Sequence, residues 1–139
     1  MKITAQLQNK PGHNAVSLTT GSRSHSISIA PKPAGQGSNT NGGELLFLAL
    51  ATCYCNDLYR EAAKQNIPID QIEVEVTGEF GAEGEPATDI TYNAKVTSPA
   101  PEDIIRNLMR HTDSMAEIHN TLRTSTSVTL QNIEAVTAQ

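Results

Sequence analysis

The chain has no tryptophan and only three tyrosines and two phenylalanines among its 139 residues. With so little aromatic mass and 37% hydrophobic residues, a self-sufficient core has few large pieces to work with. That shortage points to apolar surface buried between subunits, and hence to an obligate oligomer. Cysteine is nearly absent too. Two thiols separated by one residue, Cys53 and Cys55, do not make a disulfide framework, and they suit a reducing, cytoplasmic compartment. No block of lysine or arginine occurs, and 10 basic residues face 15 acidic ones for a net charge of -5. A nucleic-acid footprint is therefore not expected. No apolar run approaches the ~20 residues needed to span a bilayer, and the alternating start Met1-Lys-Ile-Thr-Ala-Gln-Leu-Gln8 is unlike a secretory signal, so no membrane partner is expected either.

What is present is a strong helix signal. Asn41 stands where an N-cap belongs, and Glu44 follows three residues later to complete a capping box. Leu45 to Ala51 is apolar on every side, which predicts a helix that starts inside a core. The helix is expected over about Gly42 to Gln65, ending before Pro68.

Around it the periodicity is that of strands. Lys2 to Gln8 and His13 to Thr19 alternate about the turn Asn9-Lys-Pro-Gly12, and His25 to Ile29 reads as a third strand. Pro31 to Asn41 is a loop long enough to carry function. Gln71 to Phe80 and Asp89 to Val96 alternate strictly, with Ile72, Val74 and Val76 on one face and Glu73, Glu75 and Thr77 on the other. Pro101 opens a second helix ending near His111, a short helix follows over about Met115 to Leu122, and Ser127 to Ile133 supplies a last strand. The expected class is α+β in a single domain over 1–139: a mainly antiparallel sheet, a long buried central helix and a second helical segment.

The segment Gly43-Glu-Leu-Leu-Phe-Leu-Ala-Leu-Ala-Thr-Cys53 resembles the motif that opens the central helix of the OsmC/Ohr superfamily, named for osmotically inducible protein C and organic hydroperoxide resistance protein. The element order resembles that family over nearly the whole chain. The resemblance implies an interwoven homodimer that binds a small hydrophobic or peroxide ligand at its interface; no cofactor is expected, and the opposed faces of the two thiols argue against a metal. In the peroxidase members the helix cysteine attacks a hydroperoxide, and a second cysteine resolves it. An arginine in the N-terminal hairpin, held by the motif's glutamate, activates the thiol. Carried over, Cys53 matches the attacking cysteine and Glu44 the glutamate. The resolving position falls on Ala116, within Ala116-Glu-Ile-His119, and the hairpin turn offers Lys10 and His13 in place of the arginine.

A thiol at mid-helix gains nothing from the helix dipole, so activation requires a cation from elsewhere. The candidates are Lys10, His13, Arg60, Arg23 and Arg123. Cys53 shares a helix face with Leu46, Leu50, Asp57 and Arg60, and Asp57 and Arg60 are otherwise ordinary surface charges. His111 and His119, with Asp113 and Glu117 nearby, read as polar residues of a solvated helix pair. Two readings stand: a thiol-dependent hydroperoxide reductase using Cys53 and an external resolving thiol, or a non-catalytic small-ligand binder in which Cys53 lines the pocket. The first is the expected class.

Cys53 and Cys55 are about 200° apart around the helix and point to nearly opposite faces. No disulfide between them is expected. Peroxide treatment should leave Cys53 as a sulfenic or higher acid. A Cys53–Cys55 crosslink found by mass spectrometry of native protein would contradict the helical geometry.

Overall fold

A computed structural model describes residues 1–138. Its backbone gathers into two compact units, one over Met1–Phe47 and one beginning at Leu48. The first holds β1 (Ile3–Lys10), β2 (His13–Thr20) and β3 (Arg23–His25), antiparallel in the order β1-β2-β3. Lys10 pairs with His13 across the two-residue turn Pro11-Gly12. Gly12 sits at a φ of 75°, a conformation a side chain would strain. The third strand is shorter and earlier than expected: Ile27 and Ile29 lie outside it, and Ser26 instead donates its hydroxyl to the Val16 carbonyl at 2.6 Å. The loop from Pro31 to Asn41 is pinned to the hairpin, with Asn14 Nδ2 donating to Ile29 O at 3.0 Å and to Ser38 Oγ at 2.9 Å.

The central helix α1 spans Gly42–Lys64, one residue from the expected end. Both ends are closed locally. The Glu44 N–H donates to Asn41 Oδ1 at 2.8 Å, and the Asn41 N–H donates to Glu44 Oε1 at 3.0 Å. At the other end Asn66 takes a φ of 55° and the Ile67 N–H reaches back to the Ala62 carbonyl at 2.9 Å, which stops the helix before Pro68.

The second unit adds β4 (Gln71–Glu79) and β5 (Thr88–Thr97), paired antiparallel with a bulge at Thr77/Glu79, and the helices α2 (Glu102–Met115) and α3 (Glu117–Arg123). The strands are thus all antiparallel but form two separate sheets. α2 runs one turn past His111, because Leu108, Thr112 and the buried Ala116 continue its inward face. Tyr54, Leu58, Ala62 and Leu108 form the core, covered by the inner positions of β4 and β5 (Ile72, Val74, Tyr92, Ala94, Val96) together with Ile67, Ile69 and Met109. The two-residue alternation on the strands and the α1 face at Tyr54, Leu58 and Ala62 meet there.

Two expectations fail. Leu45 to Ala51 is not buried as a block: Leu50 is covered, but Leu48 is 61% exposed. Ser127 to Ile133 forms no strand, and Val128, Leu130 and Ile133 are exposed. A strand needs a neighbour to satisfy its amides, and this segment pairs with none among the described residues.

Leu58 is fully buried at the centre of this cluster. Leu58→Ala is expected to cost about 2–5 kcal/mol of unfolding free energy in a denaturant titration. A loss below about 1 kcal/mol would mean that the centre of the core lies elsewhere.

Candidate functional site

Cys53 lies midway along α1, half-buried, and Asp57 and Glu61 follow on the same face at one-turn intervals. The three are brought to one cluster with Arg60, and α3 adds Glu117 from its first turn. The Cys53 thiol donates to Asp57 Oδ2 at 3.4 Å, and Glu117 Oε2 lies 4.0 Å from the sulfur. Arg60 ties the group together: its Nη1 lies 3.1 Å from Asp57 Oδ1 and 2.9 Å from Glu117 Oε1, and its Nε donates to Glu61 Oε2 at 2.9 Å. Lys64 Nζ reaches the same Glu61 oxygen at 2.9 Å, and His111 Nε2 meets Glu61 Oε1 at 2.8 Å.

The expectation that Asp57 is a surface charge is therefore corrected, while Arg60 keeps 37% of its side chain exposed. Asp57 is only 6% exposed and Glu61 only 2%, and a buried carboxylate must be paired. Arg60 has the fork geometry to serve several acceptors at once. Glu61 and Glu117 did not stand out in the sequence. The legible signal for Glu61 was its place one turn after Asp57 and beside Arg60 on α1.

The electrostatics run against an activated thiol. Burial pushes the Cys53 pKa up. The backbone of Ile118 opposes this, but the negative charges and hydrogen bonding of Asp57, and then Glu117, add to the rise. Burial and a hydrogen bond with Glu117 likewise raise Asp57, while Glu117 is lowered, chiefly by that same bond. Glu61 is held at about 2 by Arg60, then Lys64 and His111. Arg60, a candidate activating cation, is beside the sulfur's partners but divided among three carboxylates. The donor atoms of Cys53, Asp57 and Glu117 lie within 4.8 Å of one another, close enough for a small cation. Arg60 is bonded to both carboxylates and already supplies the positive charge there.

The other candidates have their own local partners. Glu44 closes the capping box of α1. Lys10 and His13 face each other at the exposed end of the β1–β2 hairpin, in the first compact unit. Arg123 donates to Asp113 Oδ1 at 2.8 Å, where Tyr92 also donates its hydroxyl. Ala116, at the expected resolving position, is fully buried between α2 and α3. Cys55 is half-buried against Ala51, Ile72 and Val74, on the side of α1 away from Cys53. His119 departs furthest from expectation: only 5% of it is exposed, with its ring packed edge-on against Tyr92 at 4.8 Å.

Comparison with known proteins bears on this arrangement. The family model described as OsmC-like protein matches residues 35–131, which contain α1, both strands of the second sheet, α2 and α3. No curated protein matches the chain. Among solved structures, an OsmC-like protein from Mycoplasma pneumoniae is similar at 21% identity and a TM-score of 0.62, over 88% of this chain and 86% of that one. An organic hydroperoxide resistance protein from Elizabethkingia anophelis is similar at 15% identity and a TM-score of 0.59, over 88% and 89%. The organic hydroperoxide resistance protein OhrB of Bacillus subtilis is similar at 22% identity and a TM-score of 0.52, over 86% and 90%. At these identities the structures speak to the fold. No helix of the described residues is long and apolar enough to cross a membrane.

Asp57 raises the thiol pKa by its charge and its hydrogen bond, so Asp57→Asn should lower it. Iodoacetamide alkylation of Cys53 is expected to have its pH midpoint above the ordinary thiol value in wild type, and to shift downward in the variant, with faster reaction at neutral pH. A wild-type midpoint below the ordinary value, or one unmoved by the substitution, would contradict the electrostatics described.

Proposed function

The chain belongs to the OsmC-like family, and on that premise we propose that it is a thiol-dependent redox protein that reduces organic hydroperoxides through Cys53. The observation that carries the reading is the Cys53 thiol set in a polar cluster, with an acceptor for its proton at 3.4 Å. In the proposed reaction the thiol proton passes to Asp57 and the sulfur attacks the distal peroxide oxygen. The S–O bond forms as the O–O bond breaks. Cys53 becomes a sulfenic acid, and the alkoxide takes up a proton and leaves as the alcohol. An external thiol then condenses with the sulfenic acid, releasing water and forming a mixed disulfide, and a second thiol frees Cys53. The external thiol is required because Ala116 stands at the resolving position. Lys10 and His13 are the proposed source of further activating charge, and Glu44 the residue that orients it. The proposed compartment is the cytoplasm, where thiols stay reduced.

The same reading includes a homodimer with the ligand at its interface. Its support is the apolar surface one chain leaves uncovered: Leu48 on α1, Ile3 and Leu7 on β1, and the alternating Val128 and Leu130 of the unpaired C-terminal segment. A second reading, a non-catalytic ligand binder, is favoured by one observation. The surroundings of Cys53 raise its pKa, whereas fast attack on a peroxide requires the thiolate.

Two measurements decide these points. Wild type should consume a bulky organic hydroperoxide with dithiol reductant, and Cys53→Ser should lose at least about 100-fold in rate, since the serine hydroxyl cannot be oxidised in this way. Equal rates in the two proteins would leave the ligand-binding reading. Sedimentation at micromolar concentration should give a dimer, and a stable, folded monomer would exclude the proposed assembly.

A further inference from the structure

Cys53 is half-buried, so whatever reacts with it must come in past the groups that border its exposed part. The orientation of the carboxylates there decides which charge is met. Arg60 bonds one oxygen of each, Oδ1 of Asp57 and Oε1 of Glu117. The oxygens turned to the sulfur are the other two, Asp57 Oδ2 at 3.4 Å and Glu117 Oε2 at 4.0 Å. The guanidinium thus directs its donors to the oxygens that do not meet the thiol. The sulfur is left facing two oxygens of one sign.

The two carboxylates differ in exposure. The Asp57 side chain keeps 8% of its surface open and that of Glu117 63%, so Glu117 is the one an incoming molecule meets. A hydrogen bond with Asp57, then its own backbone and Arg60, hold Glu117 below the ordinary carboxylate range, so it is ionised at neutral pH. No unshared cation in the cluster offsets it. Arg60 is divided among three carboxylates, and Lys64 bonds Glu61, which also takes His111. The Debye length in ordinary buffers is about 8–10 Å, so a carboxylate 4.0 Å from the sulfur acts on any charged group carried close to it.

We propose that Glu117 is the charge filter of the Cys53 site, admitting uncharged or cationic reactants and turning away anionic ones. What this says of the reaction rests on the reductase reading: the hydroperoxide and the external resolving thiol both lack an anionic group near the reacting atom. The filter itself belongs to the approach to the sulfur and needs no peroxide to be seen.

The test uses the full-length protein carrying Cys55→Ala, so that Cys53 is the sole thiol. Its labelling rate is measured with the trimethylammonioethyl, hydroxyethyl and sulfonatoethyl methanethiosulfonates. In each case the Cys53 thiolate attacks the sulfenyl sulfur. The new S–S bond forms as the bond to the sulfonyl sulfur breaks, and methanesulfinate leaves with the electron pair. Dividing by the rates of N-acetylcysteine amide removes the reagents' own differences. The corrected cationic-to-anionic ratio is expected to be about tenfold at low salt, with the neutral reagent between, and to fall towards one at about 1 M salt. Glu117→Gln keeps the shape and removes the charge, and should bring the low-salt ratio within about threefold of one. Glu117→Ala serves the same purpose should the glutamine variant not fold. A change in thiol acidity speeds or slows all three reagents alike and cancels from the ratio, so a merely structural role would leave it unmoved. A wild-type ratio near one, or one that removal of the Glu117 charge leaves unchanged, would overturn the proposal. With peroxide, cysteamine should resolve the Cys53 sulfenic acid faster than 3-mercaptopropionate at equal thiolate concentration. A protein that shows the thiosulfonate ratio but consumes no peroxide would keep the filter and lose the reductase reading. Peroxide consumption without the ratio would do the reverse.

Discussion

The second unit is organised by the requirement that two buried carboxylates on one helix be neutralised. Asp57 and Glu61 sit a turn apart on α1, each almost wholly withdrawn from water, and neither could remain there alone. Arg60 lies between them and extends to Glu117, so the helix that carries the cysteine is tied to α3 by a charged bond as well as by packing. Lys64 and His111 complete the shell around Glu61 and draw α2 to the same point. Removing Arg60 would leave three acidic groups facing one another with the thiol among them. The placement of Cys53 thus depends on a guanidinium that makes no bond to the sulfur.

That dependence sets the character of the thiol. A cysteine becomes a good nucleophile when an unshared cation stabilises its thiolate. Here the cation in the cluster, Arg60, is shared among carboxylates, and one of those carboxylates takes the thiol hydrogen bond. The cluster holds the sulfur in a defined position at the expense of its acidity. Within this cluster the thiol is held above its ordinary pKa.

Much of the fold was legible in the residues. The capping box at Asn41 and Glu44, the strict alternation from Gln71 to Thr77 and the proline at the start of α2 each act locally, and each appears where the sequence places it. The strand expected at Ser127 to Ile133 carries the right alternation, but alternation says nothing about whether a neighbouring strand exists. The long apolar stretch from Leu45 to Ala51 shows that cover is wanted and leaves open where it comes from. At the site, Cys53, Asp57 and Arg60 could be grouped by helical spacing alone. Glu117 and the burial of His119 could not, because they depend on how α3 returns across α1, a contact between residues more than fifty positions apart. The pairing of Lys10 with His13 was fixed by the turn.

The two closures of α1 have a further consequence. Asn41 with Glu44, and Ala62 with Ile67, are contacts spanning three and five positions along the chain. Closing such short loops costs little chain entropy, so these bonds can form early, before distant segments meet. The helix therefore has its length set from within. Its apolar first turns are presented as a rod of fixed extent, with ends that no later contact needs to define, and whatever covers Leu48 meets a ruler already cut.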